Sequence, residues 1–221
     1  MTADEDARRL SAAALAAGDA TGWFEQLYAE AGKGAAEVPW DLPRPSALLA
    51  EWARRSEVTG AGRSALVVGC GLGRDAEFLA GLGFATRAFD ISETAVRTAR
   101  ERHPDSPVEY EVADLLDPPQ HWRGAFDLVV ESNNVQALPA PIRSRAIANV
   151  APMVAPGGTL LVLAAAATSA AADGPPWPLT RAEVESFAAE GLSVVSIEEI
   201  PDTDDKLVVR WRAEFRHAPP V

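Results

Sequence analysis

A glycine-rich segment is the feature that most limits how this chain can fold. Gly69-Cys-Gly-Leu-Gly73 follows the short apolar run Ser64–Gly69 directly and precedes a helical pattern that begins near Arg74. A short apolar run with β-branched residues and a glycine boundary is typical of a buried parallel strand. Glycines between a strand and a helix permit a tight turn and let the backbone approach a ligand at the helix N-terminus. The segment therefore predicts a strand–loop–helix unit with a ligand at its edge.

The alternation of strand and helix patterns continues along the chain. Further strand patterns lie at residues 84–89, 108–112, 126–130 and 158–163, and helical patterns lie at 75–80, 92–102 and 141–150. A helix is expected over 180–189, where Thr180 and Glu183 form a capping box. Two late strand patterns, at 193–200 and 206–215, can pair as an antiparallel hairpin. Together these predict an α/β fold with a doubly wound, seven-stranded, mostly parallel sheet and an antiparallel C-terminal hairpin strand.

The N-terminal quarter of the chain has helical patterns and no strand pattern. A first helix is expected to end near Gly18, and Asp19 or Thr21 is expected to cap a second helix. Three prolines within residues 38–45 predict an extended, turning segment, and helical spacing follows over 46–55. The predicted organisation is one structural domain in two parts: a helical N-terminal extension at 1–55 and the α/β domain at 56–221.

Charge and composition limit the classes of partner. The chain has 221 residues, 48% of them apolar and 24% charged, which is ordinary for a globular protein. Its net charge of −12 disfavours nucleic acid and anionic membrane surfaces, which attract clustered lysine and arginine. A single cysteine forbids an internal disulfide, and the first residues do not resemble a signal peptide. We therefore expect a cytoplasmic protein that acts on a small molecule.

The spacing of the glycine loop separates two kinds of nucleotide site. The pattern is G-x-G-x-G, with Arg74 where a dinucleotide-binding loop would have its third glycine, and no Lys-Ser/Thr of a P-loop follows. Asp90 comes after the second predicted strand, where doubly wound folds place a carboxylate on ribose hydroxyl groups. Asp114 follows the third strand, where an adenine edge would lie. The spacing thus favours a nucleoside-containing ligand and disfavours a nicotinamide dinucleotide.

These segments together resemble the class I S-adenosylmethionine-dependent methyltransferases, which have a Rossmann-like sheet. The resemblance runs from about Trp23 to Phe215 and is carried by the glycine loop, Phe89-Asp-Ile-Ser, Ala113-Asp-Leu, Phe126-Asp-Leu-Val-Val and Val154-Ala-Pro-Gly-Gly-Thr-Leu. The Gly-Cys-Gly loop ending in Asp75 is most similar to the thiopurine and thiol methyltransferase branch. Gly174-Pro-Pro-Trp177 resembles a loop of that branch, and Trp23-Phe-Glu-Gln-Leu-Tyr with Val38-Pro-Trp-Asp resembles its N-terminal lid. The sequence departs from many members at Val67, where they carry an acidic residue.

The resemblance implies a set of site residues and the cofactor S-adenosylmethionine, with S-adenosylhomocysteine as product. The expected cofactor-binding residues are Gly69, Cys70, Gly71, Gly73, Asp75, Asp90, Ile91, Asp114, Leu115, Glu131 and Trp40. The expected substrate-binding residues are Trp23, Asn133, Asn134 and Trp177. No catalytic residue is identified, although Glu131 is a candidate base, and no metal site is expected because the histidines lack metal-ligand spacing.

Most of these residues also have a purely structural interpretation. Asp90 could cap the next helix, although Ser92 is the better cap, and Asp114 could be a turn residue. Asp75 could simply favour the helix dipole, and Glu131 could be a solvated loop carboxylate. The tryptophans could be core residues.

Two functions remain open on the sequence alone. The first is methyl transfer to a small acceptor, a thiol or another heteroatom, by in-line displacement. Proximity and orientation carry most of the rate of such a reaction, and a thiolate needs little base catalysis. The alternative is a module that binds S-adenosylmethionine or S-adenosylhomocysteine without turnover, as a sensor or partner protein.

Overall fold

The computed structural model describes residues 2–167, 174–202 and 208–219. Within these residues the centre of the fold is a seven-stranded sheet with the order β3-β2-β1-β4-β5-β7-β6. The strands are β1 (Ser64–Val68), β2 (Ala85–Asp90), β3 (Glu109–Val112), β4 (Phe126–Ser132), β5 (Val154–Ala165), β6 (Leu192–Pro201) and β7 (Val209–His217). Strands β1 to β5 pair in parallel, and β7 pairs antiparallel with both β5 and β6. The predicted fold class is confirmed.

Helices cover both faces of the sheet. In the described residues they are α1 (Ala3–Ala16), α2 (Gly22–Ala31), α3 (Ala47–Arg55), α4 (Arg74–Gly81), α5 (Glu93–Arg102), α6 (Ala140–Val150) and α7 (Arg181–Glu185). Ser92 caps α5 by accepting a hydrogen bond from the amide of Ala95, as predicted. The capping box of Thr180 and Glu183 is also present, but α7 ends at Glu185, short of the predicted 180–189.

The order of the strands sets the position of the ligand site. The chain crosses from β1 to β2 and β3 on one side, and continues into β4 and β5 on the other side. At such a switch point the connections leave in opposite directions, which opens a crevice at the carboxyl ends of the two central strands. The loop after β1 and the loop after β4 therefore form the floor of that crevice.

The N-terminal helices pack on both faces of the sheet. Leu10 of α1 and Leu27 of α2 are fully buried in one core cluster with Leu66 of β1. Leu49 of α3 belongs to the core cluster of the opposite face, together with Val67. Asp19 caps α2, since its carboxylate accepts hydrogen bonds from the amides of residues 21 and 22, whereas Thr21 makes no side-chain cap bond. The division into an extension and a domain stays a prediction.

Some boundaries and segments differ from the sequence-based expectation. Glu131 lies inside β4, not in a loop after it, because that strand continues to Ser132. Strand β5 begins at Val154, four residues before the predicted start, and β2 reaches Asp90. The predicted start of the last strand at 206 lies outside the described residues. No helix in the described part of the chain is long and apolar enough to cross a bilayer.

Candidate functional site

A deep cleft lies over the carboxyl ends of β1 and β4. Its volume is about 1450 Å³, and its floor includes Gly69 and Cys70 of the glycine loop. One wall comes from α2 and residues 39–48, and the opposite wall comes from the 132–137 turn and the start of β7. Eight of the predicted site residues line it: Gly69, Cys70, Asp75, Asp90, Ile91, Trp40, Asn133 and Asn134.

The glycine loop brings the backbone close to neighbouring side chains. Gly69 and Gly71 have φ values of +59° and +54°, a region that side chains rarely adopt. A Cβ atom on Gly69 would overlap the Asn134 side chain, and one on Gly71 would lie 2.9 Å from the hydroxyl of Tyr28. Gly71 and Gly73 do not line the cleft. The loop therefore requires glycine both for its conformation and for the close approach of its neighbours.

Asp90 joins the glycine loop to the end of β2. Its Oδ2 accepts a hydrogen bond of 2.9 Å from the amide of Gly71, and its Oδ1 accepts one of 3.0 Å from the amide of Ser92. The side chain lines the cleft although the residue is only 6% exposed. Burial raises the pKa of the Asp90 carboxyl to about 6, against the lowering effect of these amides. Asp90 thus orders the loop and presents a carboxylate at the cleft surface.

Asp75 ties the glycine loop to the segment before α3. Its Oδ1 accepts a hydrogen bond of 2.7 Å from the amide of Ser46, and Arg74 approaches the same oxygen at 3.7 Å. The thiol of Cys70, which also lines the cleft, is buried, and burial together with the charge of Asp90 raises its pKa well above the ordinary value. A thiol held in this way is neutral and is not a nucleophile at neutral pH.

An aromatic cluster forms the wall over the glycine loop. Trp40 lines the cleft, and its Nε1 donates a hydrogen bond of 2.7 Å to the hydroxyl of Tyr28. Trp23 lies beneath this pair, fully buried, with its ring edge-on to Trp40 at 6.2 Å and stacked on Phe24 at 4.0 Å. Trp23 does not line the cleft, so the structure gives it a supporting position behind Trp40 and not a face toward a substrate.

Three polar contacts hold this wall against the sheet. Arg102 of α5 makes a two-pronged ion pair with Asp41, at 2.7 and 2.9 Å. Glu25 of α2 accepts hydrogen bonds from the hydroxyls of Ser92 and Thr94, at the start of α5. The N-terminal segment is therefore fastened to α5, the helix that follows Asp90.

A small recess of about 30 Å³ holds the predicted adenine contacts. Asp114 and Leu115 line it with Ile91, and the recess shares Gly69 and Asn134 with the large cleft. The Asp114 carboxylate accepts a hydrogen bond of 2.8 Å from the amide of Leu116, which is the turn role that the sequence left open. The structure thus brings Asp114 and Leu115 beside the cleft, at its floor.

Glu131 lies away from the cleft surface. The residue is fully buried, and its Oε1 accepts hydrogen bonds of 2.8 Å from the amides of both Asn134 and Val135. Its Oε2 has no hydrogen-bond partner among the described residues. Burial raises the pKa of the Glu131 carboxyl to about 7. Glu131 lines neither cavity, so a direct contact with ligand stays a prediction that this geometry does not support.

The turn capped by Glu131 carries the predicted substrate residues. Asn133 has a φ of +60° and lines the cleft, and Asn134 packs its amide against Gly69. Trp177 donates its backbone amide to the carbonyl of Gln136 at 2.7 Å, and its ring lies against Gly174. The ring does not line the cleft, whereas the two prolines before it do. Residues 168–173, which precede Gly174, lie outside the described residues.

Tyr28, Gln136 and Arg210 are among the cleft residues that the sequence analysis did not predict. Tyr28 ends the segment that resembles the N-terminal lid but was not predicted as a site residue, although a tyrosine whose neighbours are buried needs a partner for its hydroxyl. Gln136 and Arg210 line the cleft from a short 3-10 turn and from β7, far apart in sequence. No local pattern marks either residue, because only the pairing of β7 with β5 brings Arg210 to this edge. Within the described residues no cluster of His, Cys, Asp and Glu could hold a metal ion.

Comparisons with known proteins find similarity to methyltransferases. The family model described as a methyltransferase domain matches residues 65–158. Ubiquinone biosynthesis O-methyltransferase of Thiobacillus denitrificans is 36% identical over 100 residues, which are 44% of this chain, and the chain covers only 42% of that enzyme. Thiocyanate methyltransferase 1 of Arabidopsis thaliana is 29% identical over 167 residues, covering 74% of this chain and 72% of that protein.

A solved structure is similar over almost the whole fold. It comes from work on the conversion of a disulfide bond into a thioacetal group during echinomycin biosynthesis. It superposes with a TM-score of 0.68 at 26% identity, and the match covers 88% of this chain and 93% of the other.

Proposed function

We propose that this chain is a class I S-adenosylmethionine-dependent methyltransferase that methylates a small molecule, and that the acceptor atom is a thiol sulfur. The observation that carries the proposal is the cleft itself. It joins the glycine loop and Asp90 at one end to a wall without an unpaired base at the other, and about 1450 Å³ is room for a cofactor together with a small acceptor.

The residues around the glycine loop fit the cofactor. The Asp90 carboxylate lies at the cleft surface at the end of β2, where ribose hydroxyls bind in folds of this kind. The small recess with Asp114 and Leu115 suits the edge of an adenine ring, and Trp40 offers an aromatic surface on the opposite wall. We propose that residues 1–55 act as the lid over this end, which the contacts of Glu25 and Asp41 with α5 support.

The chemistry proposed is a single displacement. S-adenosylmethionine supplies a methyl group activated by a sulfonium. A bond forms between the acceptor sulfur and the methyl carbon as the bond to the sulfonium breaks, and the sulfonium sulfur takes the electron pair. A thiol proton leaves to solvent before the transfer. The chain's contribution is alignment, which in well-oriented models is worth roughly 7–11 kcal/mol.

Four ionisable side chains in or near the cleft, those of Tyr28, Cys70, Glu131 and Asp202, do not offer a base to the acceptor. Burial raises the pKa of Tyr28 and of Cys70 well above their ordinary values, so neither accepts a proton at neutral pH. Glu131 is outside the cleft, and Asp202 is paired with Arg210 at 2.7 Å. A thiol ionises near a pKa of about 8.5 without help, whereas an alcohol needs a base. The similarity to thiocyanate methyltransferase 1 and to the structure from echinomycin biosynthesis supports sulfur as the acceptor.

Calorimetric titration followed by a methylation assay tests the proposal. We expect S-adenosylmethionine and S-adenosylhomocysteine to bind and NADH, the control, not to bind. We then expect methyl transfer to simple thiols to exceed transfer to the matching alcohols. Failure of both sulfur compounds to bind would contradict the cofactor assignment. Binding with transfer to alcohols and not to thiols would contradict the acceptor assignment.

The second candidate is a binding module without turnover. Val67, fully enclosed at the end of β1, stands where many members of the family have an acidic residue, and this observation favours weaker cofactor contacts. Methyl transfer to any acceptor in a broad panel excludes this candidate. We also propose a cytoplasmic location, which the single cysteine of the sequence supports.

A further inference from the structure

One part of the cleft lining combines hydrogen-bonding side chains with two prolines. We call it the acceptor-side wall, and it consists of Asn133, Gln136, Pro175, Pro176, Asp202 and Arg210. These residues come from the turn after β4, the segment before α7 and the two strands of the C-terminal hairpin. Because none of these residues belongs to the glycine loop, which is the proposed cofactor end, we assign this wall to the methyl acceptor.

A chain of hydrogen bonds fixes the direction of the Asn133 amide. The backbone amide of Ala165 donates to Oε1 of Gln136, which is buried. A backbone amide can only donate, so this end of the Gln136 side chain is the oxygen and the other end is the nitrogen. That nitrogen donates to Oδ1 of Asn133 at 3.2 Å. The group that Asn133 has left for a ligand is therefore its Nδ2, a donor, whose one described contact is a long 3.4 Å bond to Ser132.

Arg210 adds a charged donor to the same wall. Its Nε is bonded to Oδ2 of Asp202 at 2.7 Å, which fixes the plane of the guanidinium. The two terminal nitrogens make no hydrogen bond to another described residue, and the side chain is 31% exposed at the cleft. Two parallel N–H groups in one plane match the two oxygens of a carboxylate. Pro175 and Pro176 line the same cleft and add apolar surface to it.

We propose that Arg210 and Asn133 form a subsite for a carboxylate carried by the thiol acceptor, so that the substrate class is a small mercaptocarboxylate. This inference rests on the proposed function. The carboxylate binds the terminal nitrogens of Arg210 and Nδ2 of Asn133, and the thiolate at the other end of the molecule is left facing the cofactor. The wall discriminates by charge, because a neutral thiol of the same length leaves the Arg210 fork unpaired.

Binding of a matched pair of thiols to the protein loaded with S-adenosylhomocysteine tests the subsite. The pair is 3-mercaptopropionate and 3-mercaptopropionamide, which differ in charge and hardly in size. We expect the carboxylate to bind about tenfold more tightly than the amide. Arg210→Gln removes this preference, while Arg216→Gln, an exposed arginine on the same strand, retains it. Asn133→Asp places a carboxylate on the wall and also abolishes the preference.

The outcomes separate this inference from the proposed function. Equal affinity of the unaltered protein for the two thiols, or a preference that survives Arg210→Gln, overturns the subsite. If S-adenosylhomocysteine does not bind, the proposed function has failed, and titration of the ligand-free protein with the same pair still measures the subsite. The thermal unfolding midpoints of the variants show whether a lost preference comes from a lost fold.

Discussion

Two buried carboxylates flank the central strand and differ in what they reach. Val68 of β1 is level with Phe89 of β2 on one side and with Glu131 of β4 on the other. Asp90 is therefore one residue nearer than Glu131 to the carboxyl edge of the sheet. That step places Asp90 at the cleft surface and leaves Glu131 in the core. Side chains alternate between the two faces of a strand, so a shift of one position changes the surroundings of a residue completely.

The two carboxylates also differ in how fully they are hydrogen-bonded. Each oxygen of Asp90 accepts a backbone amide, one of them from the glycine loop. Glu131 uses one oxygen for two amides, and the other is buried without a described partner. A carboxylate near a strand end can therefore support the site by accepting hydrogen bonds from the backbone amides of a neighbouring loop or turn. Asp90 orders the cofactor end of the cleft, and Glu131 orders the turn that carries Asn133.

The largest expected effect is on the pH dependence of stability in Glu131→Gln. The folded-state pKa of about 7 lies above the ordinary glutamate value of 4.5, so the folded protein holds a proton that the unfolded chain releases. The stabilisation is fully present below pH 4.5 and is lost as the pH rises through 7. Glutamine keeps an acceptor for the two amides and cannot ionise. Between about pH 5 and pH 8 we expect the variant's free energy of unfolding to fall by about 2 kcal/mol less than that of the unaltered protein.

Urea unfolding at several pH values measures this difference. Glu199→Gln is the control, because Glu199 is exposed on the edge strand β6. An equally steep pH dependence in Glu131→Gln would mean that the buried carboxyl is already neutral or solvated across this range. Glu131 and Asp90 would then differ in their positions in the sheet but not in their ionisation.

For cofactor affinity, we expect substitution of Asp90 to have a larger effect than substitution of Glu131. Asp90→Ala removes the acceptor for the amide of Gly71 and the carboxylate at the cleft surface, so we expect affinity for S-adenosylmethionine to fall more than tenfold, about 1.4 kcal/mol. Glu131→Gln is the matched variant, and its affinity should stay within about threefold of the unaltered protein. Calorimetric titration measures both. An unchanged affinity in Asp90→Ala would contradict its place in the cofactor site, and a large loss in Glu131→Gln would show that the two positions act alike.

Much of the fold follows from local sequence signals. Glycine boundaries, short β-branched runs and the caps at Ser92 and Thr180 predict the order of strands and helices, because each depends on residues close in sequence. Lengths were less well predicted. Helix α7 stops at Glu185 although the apolar spacing continues, and β5 begins at Val154 because it pairs there with Phe126. Such ends depend on tertiary pairing, which a local pattern does not contain.

The site residues that lie directly at the end of a strand could be predicted from the sequence. The glycine loop, Asp90 and Asn133 follow directly from strand ends, and all reach the cleft. Trp23 could not be separated from Trp40 by pattern, since both lie in aromatic segments and only packing decides which one covers the other. The position of Arg210 could not be predicted from the sequence, because it depends on the antiparallel pairing of β7 with β5, which is distant along the chain.

The smallest effect is expected for a substitution of Tyr28, which belongs to the aromatic wall over the glycine loop, near Asp90. Tyr28→Phe keeps the ring but removes the hydroxyl, which accepts the hydrogen bond of Trp40 Nε1 and lies close to Gly71. One hydrogen bond is worth about 1 kcal/mol, so we expect S-adenosylmethionine to bind about three- to fivefold more weakly. Ser64→Ala is the control. It also removes side-chain hydrogen bonds, to Asp127 and to the carbonyl of Ala125, but at the N-terminal end of β1, so it should lower stability without changing affinity.

An equal loss of affinity in Tyr28→Phe and Ser64→Ala would trace the effect to general loosening of the sheet. A loss confined to Tyr28→Phe would instead mean that Trp40 must be held at a fixed angle for the cofactor end of the cleft to form. The Tyr28 hydroxyl is close to the charge of Asp90, which contributes to its raised pKa. The variant therefore also measures how far the aromatic wall and the Asp90 end of β2 act as one unit, a coupling that has no counterpart at Glu131.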